Sequence, residues 1–266
     1  MIKAVLFDVG GTILTTENNE KFRTDFAERL SKRLEDYGIF LNTPYEELGK
    51  MLHENAEEYK HRSEKTKEES PQLQIWSEYY LRDFEIPKEK LAPIVEELSF
   101  LYDYSRVKLM RRSGLNDCIE QLSQMGMKLG VISNVISTSF APHILKEYGI
   151  DKYMECVLLS SETIVRKPDA AIFGIALDKM GLSPSEMCYV GDTISRDVLG
   201  SRNAGLGLCI QIKNPAIAHR DAAFTGADAP KPDYLIDELL EIPNIIKKEN
   251  EKNNNNYSYV EKGLQP

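Results

Sequence analysis

Lys3-Ala4-Val5-Leu6-Phe7-Asp8-Val9-Gly10-Gly11-Thr12 is the stretch that decides how this chain folds. Residues 3–8 are a short β-prone run, and Val9 to Thr12 is a turn signal in which two glycines follow the acid. Aspartate at a turn has an ordinary role, because its side chain bonds nearby backbone N–H groups. The double glycine adds something: a turn without Cβ atoms lets backbone N–H groups close around an anion. A lone strand must also find neighbours, and the residues that follow do not supply them at once.

From about Glu20 to Tyr104 the pattern is helical. Phe22, Phe26, Leu30 and Leu34 recur at helical spacing and stop before Gly38, a C′ residue. Thr43-Pro44-Tyr45-Glu46 reads as a capping box with proline at N1, opening a helix that carries Leu48, Leu52 and Ala56 on one face. Ser70-Pro71 starts a third helix through Trp76 and Tyr80, and a fourth follows Pro87 with Leu91, Val95 and Leu98. Trp76 and Tyr80 read as packing residues. Beyond Tyr104, strand-like runs at 128–133, 156–160, 187–191, 207–212 and 233–236 alternate with helical segments around 116–125, 138–148, after Pro168 and about 195–204. Such alternation predicts an α/β fold, a mostly parallel sheet with helices on both faces. The expected division is a core of residues 1–15 and 105–246 interrupted by a helical insertion, 16–104. Residues 214–232 read as a long surface loop, and 247–266, with four consecutive asparagines, as a disordered tail.

Bulk properties narrow the class. With 42% hydrophobic and 28% charged residues among 266, the chain has a globular composition. No run approaches the roughly 20 apolar residues of a membrane span. The start, reading straight into a strand, lacks the marks of a signal peptide. Cys118, Cys156, Cys188 and Cys209 are scattered, which argues against a disulfide framework or zinc site and fits a cytoplasmic setting. A net charge of −9 without a basic stripe argues against nucleic acid as a partner, while leaving room for a small phosphorylated ligand in a local positive pocket. Oligomeric state is not readable.

In an open parallel sheet, ligands bind beyond the carboxyl ends of the strands. Asp8, Ser133-Asn134, Lys167 and Asp192 all fall at or near such ends. The Ser133 hydroxyl and backbone N–H are suited to donate to a phosphate oxygen. Lys167 precedes Pro168 at a helix entrance, where the macrodipole disfavours a cation by about 0.3–1 kcal/mol. An anion between lysine and helix would reverse that penalty. Gly191-Asp192-Thr193-Ile194-Ser195-Arg196-Asp197 places two carboxylates close by; beside a phosphate they would repel it unless a cation intervened. Hard oxygen ligands suit Mg²⁺.

Phe-Asp-Val-Gly-Gly-Thr at 7–12, Val-Ile-Ser-Asn at 131–134, Arg-Lys-Pro-Asp at 166–169 and Gly-Asp-x-x-x-x-Asp at 191–197 together resemble, in order, the four motifs of the haloacid dehalogenase superfamily. The resemblance spans roughly residues 1–245. It implies a Rossmann-like core with an inserted α-helical cap, and a Mg²⁺-dependent phosphohydrolase acting on a small phosphorylated metabolite. By that resemblance Asp8 attacks phosphorus and forms an aspartyl-phosphate. Gly11, Thr12, Ser133, Asn134 and Lys167 hold the phosphoryl group. Asp8, the carbonyl of Gly10 and Asp192 ligate the metal, with Asp197 mainly behind them. One departure stands out. Phosphatases of the superfamily usually carry a second aspartate where this chain has Gly10, and general acid–base help is worth about 10²–10⁴-fold. Two alternatives therefore accompany the phosphatase reading. One is a catalytically impaired member that binds a phospho-ligand or protein. The other is a phosphonatase-like hydrolase using one of the cap lysines Lys21, Lys32, Lys50 or Lys60 to form an imine.

Overall fold

A computed structural model describes residues 1–261 apart from 225 and 227; the side chains of 218, 220 and 253–261 are also outside the description. The elements are β1 (Ala4–Phe7), β2 (Leu14–Glu17), α1 (Glu20–Glu35), α2 (Tyr45–Thr66), α3 (Gln72–Gln74) with a π-helical continuation Ile75–Tyr80, α4 (Lys88–Leu91) and α5 (Val95–Ser105). Then come β3 (Lys108–Arg111), α6 (Leu115–Gln124), β4 (Lys128–Ser133), α7 (Phe140–Glu147), β5 (Met154–Leu159), α8 (Ser160–Thr163) and α9 (Ala170–Met180). The last are β6 (Met187–Gly191), a π-helical turn Ile194–Val198 running into α10 (Leu199–Asn203), β7 (Leu208–Ile212), β8 (Tyr234–Ile236) and α11 (Ile242–Glu261).

Six strands form one sheet in the order β5-β4-β1-β6-β7-β8, and every pairing in it is parallel. The expected α/β fold is therefore present. Alternation along β1 explains the layers, since successive side chains point to opposite faces. Val5 and Phe7 pack with Ile119 and Leu122 of α6, Ile144 of α7 and Ile246 of α11. Ala4 and Leu6 pack on the other face with Phe173, Ala176 and Met180 of α9. From β1 the chain steps outward to β4 and β5, then returns to lay β6 on the other side of β1. The loops leaving β1, β4 and β6 thus diverge over one edge, where a crevice opens.

Residues 20–105 form a separate helical layer around Phe26, Leu30, Leu34, Leu48, Leu52, Trp76 and Leu98. Trp76 is buried and its indole N–H donates to the Ser99 hydroxyl at 2.9 Å, so packing is its use. This layer joins the sheet through a ribbon absent from the sequence reading: β2 and β3 pair antiparallel, Leu14 opposite Arg111. Neither strand alternates cleanly enough to be seen, being four residues each and mostly exposed.

Other differences are local. Pro44, not Thr43, is the N-cap of α2, and the Thr43 hydroxyl turns back to the Leu41 carbonyl. The fourth expected helix is broken into α4 and α5 around Pro93. The predicted disordered tail from residue 247 is corrected by α11, which continues to Glu261. Ile246 is fully buried, and the Asn250 amide pairs with the backbone N–H and carbonyl of Ile2 at 2.6 and 2.9 Å. Residues 262–266 lie outside the described residues.

Two polar clamps fasten the helical layer to the loops of the sheet. Glu69, 2% exposed, takes the Arg166 guanidinium on both oxygens at 2.8 Å, the Ser160 hydroxyl at 2.5 Å and the Tyr59 hydroxyl. Backbone bonds from Glu69 to Ile164 and from Arg166 to Lys67 reinforce it. The second clamp holds the loop after β4: Glu96 accepts from the N–H groups of Thr138 and Ser139, and Asp103 from those of Ile136 and Ser137. Removing one member of a buried ion pair strands the other, at about 3–5 kcal/mol. Glu69→Ala is accordingly expected to lower unfolding free energy in urea by about that amount. Adding Arg166→Met should recover part of the loss, whereas additive effects in the double variant would contradict coupling.

Candidate active site

Asp8 directly follows β1, and its backbone N–H extends the ladder to the Val190 carbonyl at 2.8 Å. Ser133 ends β4, Asp192 follows β6, and Lys167 lies between α8 and α9. The crevice above β1 gathers all four. Lys167, 2% exposed, donates from Nζ to Asp8 Oδ1, Asp197 Oδ1 and the Tyr189 hydroxyl, each at 2.7 Å. Its three N–H bonds are thereby directed, which answers why a lysine tolerates this helix entrance. Asn134 fixes the lysine backbone from both sides: its Nδ2 donates to the Lys167 carbonyl and its Oδ1 accepts from the Lys167 N–H, both at 3.0 Å. In this structure the Asn134 amide is engaged with the Lys167 backbone.

Asp8, Asp192 and Asp197 offer carboxylate oxygens that all lie within 4.8 Å of one another, and all three residues are buried. Their environments separate them. Burial pushes Asp8 upward, against the pull of Lys167. Burial, with the charges of Asp197 and Asp8, drives Asp192 up to about 7. Asp197 is also buried, but Lys167 and Arg196 outweigh that and hold it down to about 2. Its second oxygen accepts from the N–H groups of Asp192 and Thr193 and from the Thr193 hydroxyl at 3.2, 3.0 and 2.6 Å. Both Asp197 oxygens are therefore occupied bracing the site. Asp192 differs: Oδ2 accepts from the Asn214 amide at 2.7 Å, while buried Oδ1 has no hydrogen-bond partner among the described residues. An orphaned carboxylate oxygen amid three acids and two cations, Lys167 and Arg196, is what a hard divalent cation would satisfy.

The glycines explain how acids come so close. A Cβ on Gly11, whose φ is +92°, would lie 1.7 Å from Asp192 Oδ2, and one on Gly191 would lie 2.3 Å from the Asp197 Cβ. At Gly10 a Cβ would meet nothing within 4 Å. A cavity of about 170 Å³ sits here, lined by Asp8, Gly10, Gly11, Ser133, Lys167 and Asp192 among others. Thr12 does not line it; its hydroxyl is fully buried without a partner among the described residues. Sequence reasoning missed several contributors. Arg196 sits within the metal-type motif yet was passed over, although Asp197, Asp192 and Asp8 overcome its burial and raise its pKa. Asn214 and Asp221 fall in the stretch read as a plain loop. Asp221 caps the turn after Asp192, accepting from Ile194 and Ser195 N–H at 2.8 and 3.1 Å. Arg112 donates to the Gly11 carbonyl at 2.6 Å. Only the Arg196 spacing offered any advance signal.

Comparison with known proteins agrees with this arrangement. The pattern for haloacid dehalogenase-like hydrolases matches residues 2–205, and the chain belongs to that family of hydrolases. A glyceraldehyde 3-phosphate phosphatase of Methanopyrus kandleri is 25% identical over 256 residues, covering 93% of this chain and 98% of that one. A phosphoglycolate phosphatase of Agrobacterium fabrum is 25% identical over 252 residues, covering 91% and 92%. Among solved structures, a 2-haloacid dehalogenase from Pseudomonas syringae pv. Tomato DC3000 is similar in fold, with a TM-score of 0.63, 22% identity and coverage of 93% and 99%.

The steric contrast between adjacent glycines is testable. Gly11→Ala is expected to lower unfolding free energy by about 1–3 kcal/mol through overpacking and left-handed strain, while Gly10→Ala stays within about 0.5 kcal/mol of the parent. Equal losses in urea titrations would contradict the close approach at Gly11.

Proposed function

We propose that the chain is a Mg²⁺-dependent phosphatase that transfers the phosphoryl group of a small metabolite to Asp8. The observation that carries this reading is the convergence of Asp8, Asp192 and Lys167 on one buried cavity at the sheet edge. Two relatives bear the names of phosphatases for small phosphomonoesters, which points the same way. The residues suited to hold Mg²⁺ are Asp8, Asp192 and the Gly10 carbonyl, with Asp197 behind them. Bound there, the ion would neutralise charge on the phosphoryl oxygens and on the acids.

The steps on the protein are simple. An Asp8 oxygen attacks phosphorus, the bond to the leaving oxygen breaks, and the alcohol departs carrying a proton from solvent. Lys167 Nζ and the Ser133 hydroxyl steady the phosphoryl oxygens meanwhile. Water then attacks the aspartyl-phosphate, releasing inorganic phosphate and restoring the carboxylate. Phosphoryl transfer depends chiefly on positioning and charge neutralisation, which this site supplies. What it lacks is an acid at residue 10. Leaving groups that need no proton should therefore react best. The helical layer over the crevice acts as the cap that selects substrate.

Gly10 also favours a second reading, a member that binds a phospho-ligand and turns it over very slowly. The space around Gly10 lets one experiment separate the two. Phosphate release is expected from the parent with Mg²⁺ and to vanish in Asp8→Asn. Gly10→Asp should accelerate an alkyl phosphate by about 10²-fold or more, and p-nitrophenyl phosphate much less. Release no greater than the Asp8→Asn control across a metabolite panel would leave only the binding reading. Labelling of a lysine by borohydride in the presence of substrate would instead indicate imine chemistry.

A further inference from the structure

Above the catalytic cavity lies a larger chamber of about 530 Å³ between the helical layer and the sheet loops. Arg106, Asn134 and Arg196 line both, so the two spaces adjoin. The volume falls in the range of small-molecule sites, roughly 300–1,000 Å³. Its charges are unevenly paired. Glu69 is taken by Arg166, and Glu57 by Lys60 at 2.9 Å. Asp103 accepts two backbone N–H groups and lies 3.6 Å from Arg106. Arg196 faces the three acids of the catalytic floor. Arg23 forms no ion pair among the described residues, although it lines the chamber. Its placement is fixed by close helix packing: a Cβ on Gly49 of α2 would lie 2.8 Å from the Arg23 carbonyl of α1. His53 stands in the same wall; burial and then the charge of Arg23 push its pKa down.

A chamber with surplus arginine charge, adjoining the proposed phosphoryl-transfer site, has a definite complement. We infer that the substrate is a phosphomonoester with a second anionic group, and that this group is bound in the chamber by Arg23 and Arg106, with His53 beside them in the same wall. The Arg106 guanidinium is braced from one side, lying 4.3 Å from the Tyr102 ring centroid and donating to the Tyr102 carbonyl at 3.3 Å. Carboxylate and phosphate share the required chemistry, since arginine binds either through paired N–H bonds. This rests on the phosphatase reading for the reacting phosphoryl group, but the chamber can be tested without turnover.

Matched substrate pairs provide the test. 3-Phosphoglycerate differs from glycerol 3-phosphate by carboxylate against hydroxymethyl, and fructose 1,6-bisphosphate from fructose 6-phosphate by a second phosphate. With Mg²⁺, kcat/KM for the doubly anionic member of at least one pair should exceed its partner by about tenfold or more. Which pair responds tells carboxylate from phosphate. Arg23→Met should reduce that ratio at least about fivefold, and Arg23→Lys should restore part of it. Calorimetric binding of the four compounds to Asp8→Asn should show the same preference. Preference in binding without turnover by the parent would overturn the phosphatase reading and leave the chamber assignment standing. Equal binding within both pairs, or an Arg23→Met effect of the same size on both members, would overturn the chamber assignment.

Discussion

Three buried carboxylates within 4.8 Å of each other repel one another, and Lys167 is the cation that opposes that repulsion most directly. Its ammonium touches two of them at 2.7 Å, and Arg196 adds a second positive charge. Around that pairing the local structure is organised. Asn134 fixes the lysine backbone, the hydroxyl and N–H of Thr193 direct Asp197, and the missing Cβ atoms at Gly11 and Gly191 leave room for the acids. Two cations against three acids leave an imbalance that falls on Asp192, whose carboxyl is driven up to about 7. That imbalance is what a divalent cation would relieve, in keeping with the proposed metal and phosphoryl site.

The helical layer is attached to the same machinery. Arg166, held by Glu69, immediately precedes Lys167, and the loop gripped by Asp103 and Glu96 begins at Ile136, two residues after Asn134. The layer is thereby tied to the chain one residue from Lys167 and three from Ser133, the groups proposed to steady the phosphoryl oxygens. Arg106, at the boundary between the two cavities, belongs to the layer's return toward the sheet. On the proposed reading, recognition of the substrate body and placement of its reacting group would share a mechanical frame. Such coupling suits an enzyme in which positioning does most of the chemistry.

Much of this was legible in the chain because parallel strands buried on both faces leave plain apolar runs. The inner strands β1, β4, β6 and β7 were visible that way, and the partly exposed edge strands β5 and β8 were legible as strand-like runs. Asp8, Ser133, Lys167 and Asp192 were found as polar groups at or near the carboxyl ends. Less was visible where identity depends on partners distant in sequence. Asn214 bonds Asp192 across 22 positions, Asp221 caps a turn 27 positions earlier, and Glu69 meets Arg166 across 97, none with a local pattern. The β2–β3 ribbon is too short and exposed to alternate. The polar run in α11 read as disorder because composition alone does not show that Ile246 is covered and Asn250 bonded to Ile2.

The central claim is that one cation and one phosphoryl group meet at Asp8. Diffraction from crystals grown with Mg²⁺ and beryllium fluoride, a phosphoryl mimic, tests it most directly. The account predicts the fluoride complex on an Asp8 oxygen, Mg²⁺ about 2.0–2.1 Å from oxygens of Asp8 and Asp192, and Lys167 bonded to the mimic. An ion bound only at the surface, with Asp8 bare and Lys167 unchanged, would contradict it.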